Sequence, residues 1–170
     1  VEPGVETWAP HFRNVRFCDC DLIRNSRSAL NVSAGGNAVM ENFLYENIRV
    51  EMQTDGLPEI MQRSDEQKYD SAGRRSFPAL VKVDNYQYVK QAGVPLGHVR
   101  NCTFRKIAVF AEPGTPPPSI IVKSRTPLRG EKRPFENVTL EDFSINGRPA
   151  DWSAFSFATN TPIALRPLMR

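Results

Sequence analysis

One nine-residue pattern occurs four times in this chain and constrains its fold more than any other feature. Each copy reads Asn-apolar-x-apolar-x-x-apolar-x-apolar. The copies are NVRFCDCDL from Asn14, NFLYENIRV from Asn42, NCTFRKIAV from Asn101 and NVTLEDFSI from Asn137. Because the apolar residues alternate with period two on each side of a two-residue interruption, each copy is predicted to form two short strands joined by a bend.

The spacing of the copies predicts how these strands are arranged. The first residues of the copies are 28, 59 and 36 residues apart, and repeats at such spacings are typical of solenoids. We interpret the 59-residue spacing as two coils, one of them degenerate. The chain is therefore predicted to be all-β and single-domain, a stack of roughly five coils with equivalent apolar residues in continuous columns. One such column is Phe17, Tyr45, Phe104 and Leu140.

Composition excludes several other classes of protein. The chain has 170 residues, with 22 Lys and Arg against 19 Asp and Glu and no run of like charge, which does not favour nucleic-acid binding. Its 14 prolines lie mostly outside the repeats and argue against long helices. No secretory leader or long apolar span is evident, so no membrane segment is expected. Because the chain opens on Val1 and not Met, we expect a processed, trimmed or partial protein.

The regions between and after the repeats have other roles. Residues 52–76 lose the apolar alternation and are predicted to be a polar excursion on the surface, either lining a binding site or tolerated without a role. After the fourth copy the repeat stops, and residues 148–170 carry Trp152, Phe155 and Phe157. This tail is predicted to cover the last coil, because a bare strand edge invites association.

The repeats resemble the rungs of right-handed parallel β-helix proteins of the pectin-lyase-like superfamily. Ile120 to Lys123, followed by the fourth copy, is most similar to polygalacturonase-like glycoside hydrolases, and the resemblance covers residues 12–147. It implies a right-handed β-helix, a polysaccharide or oligosaccharide ligand, no cofactor, and a secreted, periplasmic or cell-surface location. That family uses a group of Asp residues, a Gly-His-Gly segment and an Arg-Ile-Lys segment.

Those catalytic motifs are only partly present. Gly97-His98 keeps half of the Gly-His-Gly segment, and Val122-Lys123 keeps the last two positions of the basic segment. A C-terminal portion of a longer enzyme would account for this, and the remaining N-terminal coils or a second copy are then expected to cover the open end of the stack. The functional hypotheses are part of a glycoside hydrolase, a non-catalytic carbohydrate-binding or adhesive module, and a structural spike segment. The spike needs an apolar outer stripe that the sequence lacks.

Asp19 and Asp21 are the candidate catalytic pair. Glycoside hydrolysis needs two carboxyl groups about 5–9.5 Å apart, and outward residues two apart on a strand are separated by about 6.6 Å. Mutual repulsion is expected to raise the pKa of one of them, as an acid role requires. The alternative is that Asp19 is a turn residue at the bend of the first repeat.

A second candidate surface is formed by polar residues on the third strand of each coil. If Leu30, Val83 and Val122 point into the core, the polar residues between such positions share one outward face. Cations there suit a carboxylated sugar, and amide or carboxylate groups suit hydroxyls. The alternative is a solvated face with staggered charge pairs. The predicted substrate-binding residues are Asn31, Lys82, Asp84, Tyr86, Lys123 and Arg125.

The cysteines and histidines do not indicate a metal site. Cys20 and Cys102 fall on inward positions of the repeat, where small buried side chains are expected, although a Cys18–Cys102 bridge or a metal role stays open. His11 and His98 have no nucleophile or metal ligand at an informative spacing. No metal and no catalytic triad are therefore predicted.

Overall fold

A computed structural model describes residues 1, 3–4, 9–25, 28–52, 78–86, 95–125 and 133–166. These residues form strands and one short 3-10 helix, Trp152–Ala154, and no α-helix occurs within these ranges. In chain order the strands are β1 (His11–Asn25), β2 (Leu30–Ala34), β3 (Val39–Met52), β4 (Ala79–Asn85), β5 (His98–Ala111), β6 (Ser119–Ser124), β7 (Glu136–Ile145), β8 (Arg148–Pro149), β9 (Ser156–Thr159) and β10 (Ala164–Arg166). The all-β prediction is confirmed.

The strands form two sheets between which the chain alternates. The repeat sheet has the order β1-β3-β5-β7-β10 and is parallel throughout, with β8 added antiparallel to β7. The short sheet has the order β2-β4-β6-β9 and is also parallel. Each repeat therefore contributes one long strand to the first sheet and one short strand to the second. In the described part of the chain, no helix is long and apolar enough to cross a membrane.

Equivalent apolar residues of the repeats form columns between the sheets. Tyr45 pairs with Phe17 on one side and Phe104 on the other, and Phe104 pairs with Leu140. The Phe17 and Tyr45 ring centroids are 5.1 Å apart and those of Tyr45 and Phe104 are 4.9 Å apart, both in stacked geometry. Tyr45, Phe104 and Leu140 are fully buried. The predicted column is confirmed, because one register is kept through all four repeats.

The 59 residues between the second and third copies form one coil of the stack and not the two that the spacing suggested. β3 pairs directly with β5 over nearly its whole length, and β4 lies directly between β2 and β6. The 59-residue spacing is thus one repeat with a long insertion, and the degenerate coil expected there is wrong. Met52, placed at the start of the surface excursion, instead ends β3 with its side chain fully buried. Residues 53–76 of that excursion lie outside the described residues.

Each repeat bends twice, where the sequence predicted one bend. The leading asparagines have φ between 53° and 62°; they are Asn14, Asn42, Asn101 and Asn137. The predicted bend, five residues later, has φ between 54° and 56°; its residues are Asp19, Asn47, Lys106 and Asp142. Asn is among the few residues that tolerate this left-handed backbone, which explains why it leads every copy.

The leading asparagines also bond to one another in a continuous amide ladder. Asn42 Nδ2 donates to Asn14 Oδ1 at 3.0 Å, Asn101 Nδ2 to Asn42 Oδ1 at 3.1 Å, and Asn137 Nδ2 to Asn101 Oδ1 at 2.9 Å. The ladder follows from the register, since each Asn lies beside its equivalent in the next repeat. It supplies a polar connection between strands where the left-handed bends interrupt regular pairing.

The first described residues pair with the short sheet. The backbone N–H groups of Asn31, Ser33 and Gly35 donate to the carbonyls of Val1, Pro3 and Gly4. These residues therefore extend the sheet beyond β2. In the repeat sheet β1 is the edge strand among the described residues, and Phe17 on it is only half-buried.

The tail partly covers the last repeat and partly continues the sheets. The ring centroids of Trp152 and Phe155 lie 5.3 and 5.7 Å from that of Phe143. They therefore cover the end of a second core column, formed by Cys20, Ile48, Ile107 and Phe143. β9 and β10 pair in parallel with β6 and β7 as further short strands. Phe157, expected to belong to the cover, is instead 39% exposed on β9, as is Leu165 on β10.

Candidate functional site

Strand pairing brings most of the predicted sugar-binding residues together on the short sheet. Lys82 of β4 pairs with Asn31 of β2, and Asp84 pairs with Ser33 on one side and Lys123 of β6 on the other. These positions alternate with the core residues of the same strands, so their side chains leave the sheet on the face away from the core.

Asp84 is the centre of this group. Its Oδ1 accepts a hydrogen bond from Ser33 Oγ at 2.6 Å, and its Oδ2 lies 3.4 Å from Lys82 Nζ and 3.6 Å from Arg125 Nη2. The side chain of Asp84 is 3% exposed, whereas those of Lys82 and Arg125 are 29% and 61% exposed. A buried carboxylate needs compensating partners. Asp84 therefore holds two cations with their outer surfaces in solvent.

Arg125 is fixed from three directions. Its guanidinium carbon lies 5.3 Å from the centre of the Tyr86 ring, a cation–π geometry. Its backbone N–H donates to Asn85 Oδ1 at 2.7 Å, and Asn85 is fully buried. These two contacts, together with the contact between Arg125 and Asp84, hold the Arg125 guanidinium beside the ends of β4 and β6. We call Lys82, Lys123 and Arg125, grouped around Asp84, the cation cluster.

The cation cluster carries an excess of positive charge. Lys123 is exposed and forms no ion pair with any residue in the described ranges. Among the described residues, three cations are therefore balanced by one carboxylate, and that carboxylate is buried. An anionic ligand approaching from solvent meets ammonium and guanidinium groups before it meets Asp84.

Two of the predicted contact residues are not at the surface. Asn31 is 4% exposed and Asp84 is 2% exposed, so the expectation of an outward, accessible position is wrong for both. Asp84 is enclosed by the partners that it holds. The backbone N–H of Asn31 donates to the carbonyl of Val1, and its own carbonyl accepts from Tyr45 Oη at 2.5 Å. The side-chain oxygen of Asn31, Oδ1, has no hydrogen-bond partner in the described structure. Strand alternation predicts the face of a side chain, but not what encloses it.

Asp19 and Asp21 lie together at the second bend of β1, in an open depression of about 320 Å³ that Asn47 and Arg49 also line. Asp19 Oδ1 accepts from Asn47 Nδ2 at 2.5 Å. The two oxygens of Asp21 accept from Arg49 Nε and Nη2, each at 2.6 Å. The hydrogen bonds from Arg49 lower the pKa of Asp21. The rise expected for one of the two carboxyls therefore does not occur at Asp21, which is held as a carboxylate and is unsuited to donate a proton.

Side-chain contacts between carboxylates and basic residues join neighbouring repeats on the outer face of the repeat sheet, and the sequence alone did not reveal them. His98 Nε2 lies 3.4 Å from Glu136 Oε1, and His11 Nδ1 lies 3.9 Å from Glu41 Oε1. Arg100 Nη2 approaches Glu41 Oε2 at 2.6 Å. The partners are separated by a whole repeat in sequence, and only alignment of the copies would have brought them together.

The cysteines are all free thiols, so the Cys18–Cys102 bridge is absent. Cys102 is buried in the core as predicted, and this burial raises the pKa of its thiol to about 12. Cys20 pairs with Ile48 in a core column and is half-buried at the edge strand. Within the described residues, no group of His, Cys, Asp and Glu is arranged to hold a metal ion.

Comparison with known proteins gives no relative: no family model, no curated protein and no solved structure matches this chain.

Proposed function

We propose that the chain is a right-handed parallel β-helix from a polysaccharide-active lineage resembling polygalacturonases. The alternation of the chain between two parallel sheets, with each strand paired to its equivalent in the next repeat, supports a solenoid. Parallel strands joined through a crossover are right-handed in about 98% of cases.

The role we propose for the described residues is to bind an acidic polysaccharide through the cation cluster. The observation that carries this proposal is the buried Asp84, which holds Lys82 and Arg125 with their outer surfaces exposed. A guanidinium and an ammonium held side by side match a sugar carboxylate in charge and hydrogen-bonding capacity. Because the cations are already ordered by Asp84, less conformational entropy is lost when the ligand binds.

Tyr86 adds a second kind of recognition. Its ring is half-exposed and lies against the Arg125 guanidinium. An aromatic face beside a cation suits a pyranose ring that carries a carboxylate, because the ring packs on the aromatic face while the carboxylate reaches the guanidinium. The ligand class is therefore a uronic-acid-containing polysaccharide, and neutral polysaccharides bind more weakly.

Calorimetric titration with a uronic-acid oligosaccharide and a neutral oligosaccharide of equal length tests this proposal. The acidic oligosaccharide binds more tightly, and its affinity falls as salt increases because the cations are partly exposed. Replacing Lys82 and Arg125 together by Gln removes the part of this preference that the cation cluster supplies. The matched control replaces Arg148 and Arg166 by Gln, two exposed arginines on the other sheet. Equal affinities of the parent for the two oligosaccharides would refute the proposal.

Hydrolysis is the second candidate function, favoured by the common depression that Asp19 and Asp21 line. In that case Asp21, kept ionised by Arg49, acts as base or nucleophile, and Asp19 has to supply the proton. Assays against acidic and neutral polysaccharides with Asp19→Asn and Asp21→Asn decide this. Loss of turnover in both variants supports hydrolysis, and turnover that survives both changes removes these residues from the mechanism.

The edge strand β1 suggests a further partner. Core side chains on β1 such as Val15, Phe17 and Leu22 are only half-buried. As part of the same proposal, further coils of a longer protein, or a second copy of the chain, cover this edge. Either partner would add a strand beside β1 and complete the burial of the columns.

A further inference from the structure

A shallow groove of about 500 Å³ crosses the outer face of the repeat sheet, on a different sheet from the cation cluster. It lies along the first bend of β1, β3 and β5. The ladder residues Asn14, Asn42 and Asn101 line it, together with Arg16, Leu44, Thr103 and Arg105. The proposed function uses none of these residues.

The amide ladder leaves hydrogen-bonding capacity open toward the groove. A primary amide has two N–H donors and an oxygen with two lone pairs. Asn42 and Asn101 each use one donor and one lone pair in the ladder. Both residues are exposed, so each presents one further donor and one further acceptor to solvent. A sugar hydroxyl both donates and accepts, and it can use the two groups together.

The floor and the ends of the groove add an apolar surface and one positive charge. Arg16, Leu44 and Thr103 pair in register and form one row beside the ladder. Leu44 is half-buried and offers an apolar patch to a sugar ring. Arg105 is neutralised by Glu46, whose Oε1 accepts from its Nε at 2.9 Å. Arg16 is exposed and lies close enough to Glu46 to help lower the pKa of that carboxyl, but it forms no ion pair with the described carboxylates, so its guanidinium is open to a ligand.

We propose that this groove is a second binding site for an acidic oligosaccharide, which lies across the strands with its hydroxyls on the amide ladder and one carboxylate on Arg16. Strands in a sheet are spaced about 4.8 Å apart, a distance comparable with the length of one sugar unit. Successive sugars therefore meet successive rungs of the ladder. The proposal shares its ligand class with the proposed function and rests on it in that respect, but it concerns different residues on the other sheet.

The test is a nitrogen-15 NMR titration of the protein with a uronic-acid hexamer, with a neutral hexamer as the comparison. The side-chain amide signals of Asn42 and Asn101 report on the groove, and the backbone amides of Lys82 and Arg125 report on the cation cluster. Arg16→Glu and Thr103→Val are the groove variants. Arg148→Glu is the matched control, because Arg148 is exposed on β8 and lies outside both sites.

We expect the acidic hexamer to shift the signals of Asn42 and Asn101 in a saturable manner. Arg16→Glu weakens this binding by about tenfold or more, the loss expected for one charge-assisted hydrogen bond. Thr103→Val weakens it by a smaller factor, and Arg148→Glu leaves it unchanged. Unfolding temperatures of the variants establish that each is folded.

The outcomes separate the two sites. Shifts at Lys82 and Arg125 with unmoved Asn42 and Asn101 overturn the groove and leave the proposed function standing. Shifts only at the two asparagines support the groove and overturn the cation cluster. Absence of all shifts overturns both proposals. An equal loss of binding in Arg16→Glu and Arg148→Glu overturns the groove, since the ligand is then attracted only by the overall positive charge of the protein.

Discussion

Replacing Asn42 by Gly separates the two contributions that a ladder asparagine makes to stability. Asn42 has φ of 61°, and its side chain donates to Asn14 and accepts from Asn101. Glycine adopts this backbone without a steric penalty but cannot form the two side-chain hydrogen bonds. Lys106 provides the matched control, because it has φ of 54° at the second bend and takes no part in the amide ladder.

The structure gives an expected magnitude and a difference between the two variants. Two hydrogen bonds, each with a net contribution of about 0.5–1.5 kcal/mol, make Asn42→Gly less stable by about 1–3 kcal/mol before any backbone relief. Left-handed backbone costs a residue with a side chain about 1–2 kcal/mol, and the added flexibility of glycine costs about 0.5–1 kcal/mol. Lys106→Gly is therefore neutral or stabilising by up to about 1.5 kcal/mol, since the exposed contact of Lys106 with Glu46, at 3.8 Å, contributes little.

Urea denaturation followed by circular dichroism measures both variants against the parent. We expect Asn42→Gly to have a lower free energy of unfolding than the parent, and Lys106→Gly to have one that equals or exceeds that of the parent. Asn42→Ala should be the least stable variant, because it loses the hydrogen bonds and keeps the strained backbone. Equal stability of Asn42→Gly and Lys106→Gly would show that the amide ladder contributes nothing.

Three further predictions concern the core and the titrating groups. Phe104→Ala lowers the free energy of unfolding by about 3–5 kcal/mol, because Phe104 is fully buried between Tyr45 and Leu140. Phe110→Ala is the control and changes the free energy of unfolding by about 0.5 kcal/mol, because its side chain is 44% exposed. Similar losses for the two variants in urea denaturation would contradict the buried column. Burial raises the pKa of the Cys102 thiol to about 12, so Cys102 resists alkylation by iodoacetamide at pH 8 in the native protein and reacts after unfolding. Labelling is measured by mass spectrometry. Rapid labelling of Cys102 in the native protein would place this thiol outside the core. Arg49→Gln raises the pKa of Asp21 toward its ordinary value of 3.8 in an NMR titration. Because the folded pKa of Asp21 is depressed, the stability that Asp21 contributes is present above its unfolded pKa and is lost as the pH falls through its folded pKa. An unchanged pKa of Asp21 in Arg49→Gln would exclude Arg49 as the cause of the depression.

The repeat made most of the fold predictable. Once Asn14, Asn42, Asn101 and Asn137 are aligned, the period-two alternation determines which residues point inward, and parallel pairing determines the columns. The number of repeats was not determined in the same way. A spacing of 59 residues fits an extra coil or an insertion equally well, and only direct pairing of β3 with β5 distinguishes them.

The candidate sites were predictable in position more than in environment. Alternation placed Lys82, Asp84 and Lys123 on one face, but the enclosure of Asp84 by Ser33 and Arg125 depends on contacts from other strands. The pairing of Asp21 with Arg49 likewise depends on the register between repeats. Sequence spacing within one strand suggested repulsion between neighbouring carboxylates, and the stronger interaction came from the next strand.

The most direct test of the proposed function is the affinity of Asp84→Asn for an acidic oligosaccharide, measured by calorimetric titration beside the parent. Asp84 is proposed to hold Lys82 and Arg125 in place and not to contact the sugar. The variant loses this hold, so we predict weaker binding, even though its net charge is more positive. Equal or tighter binding by the folded variant would show that positive charge alone attracts the ligand, and would contradict the organised site on which the proposed function depends.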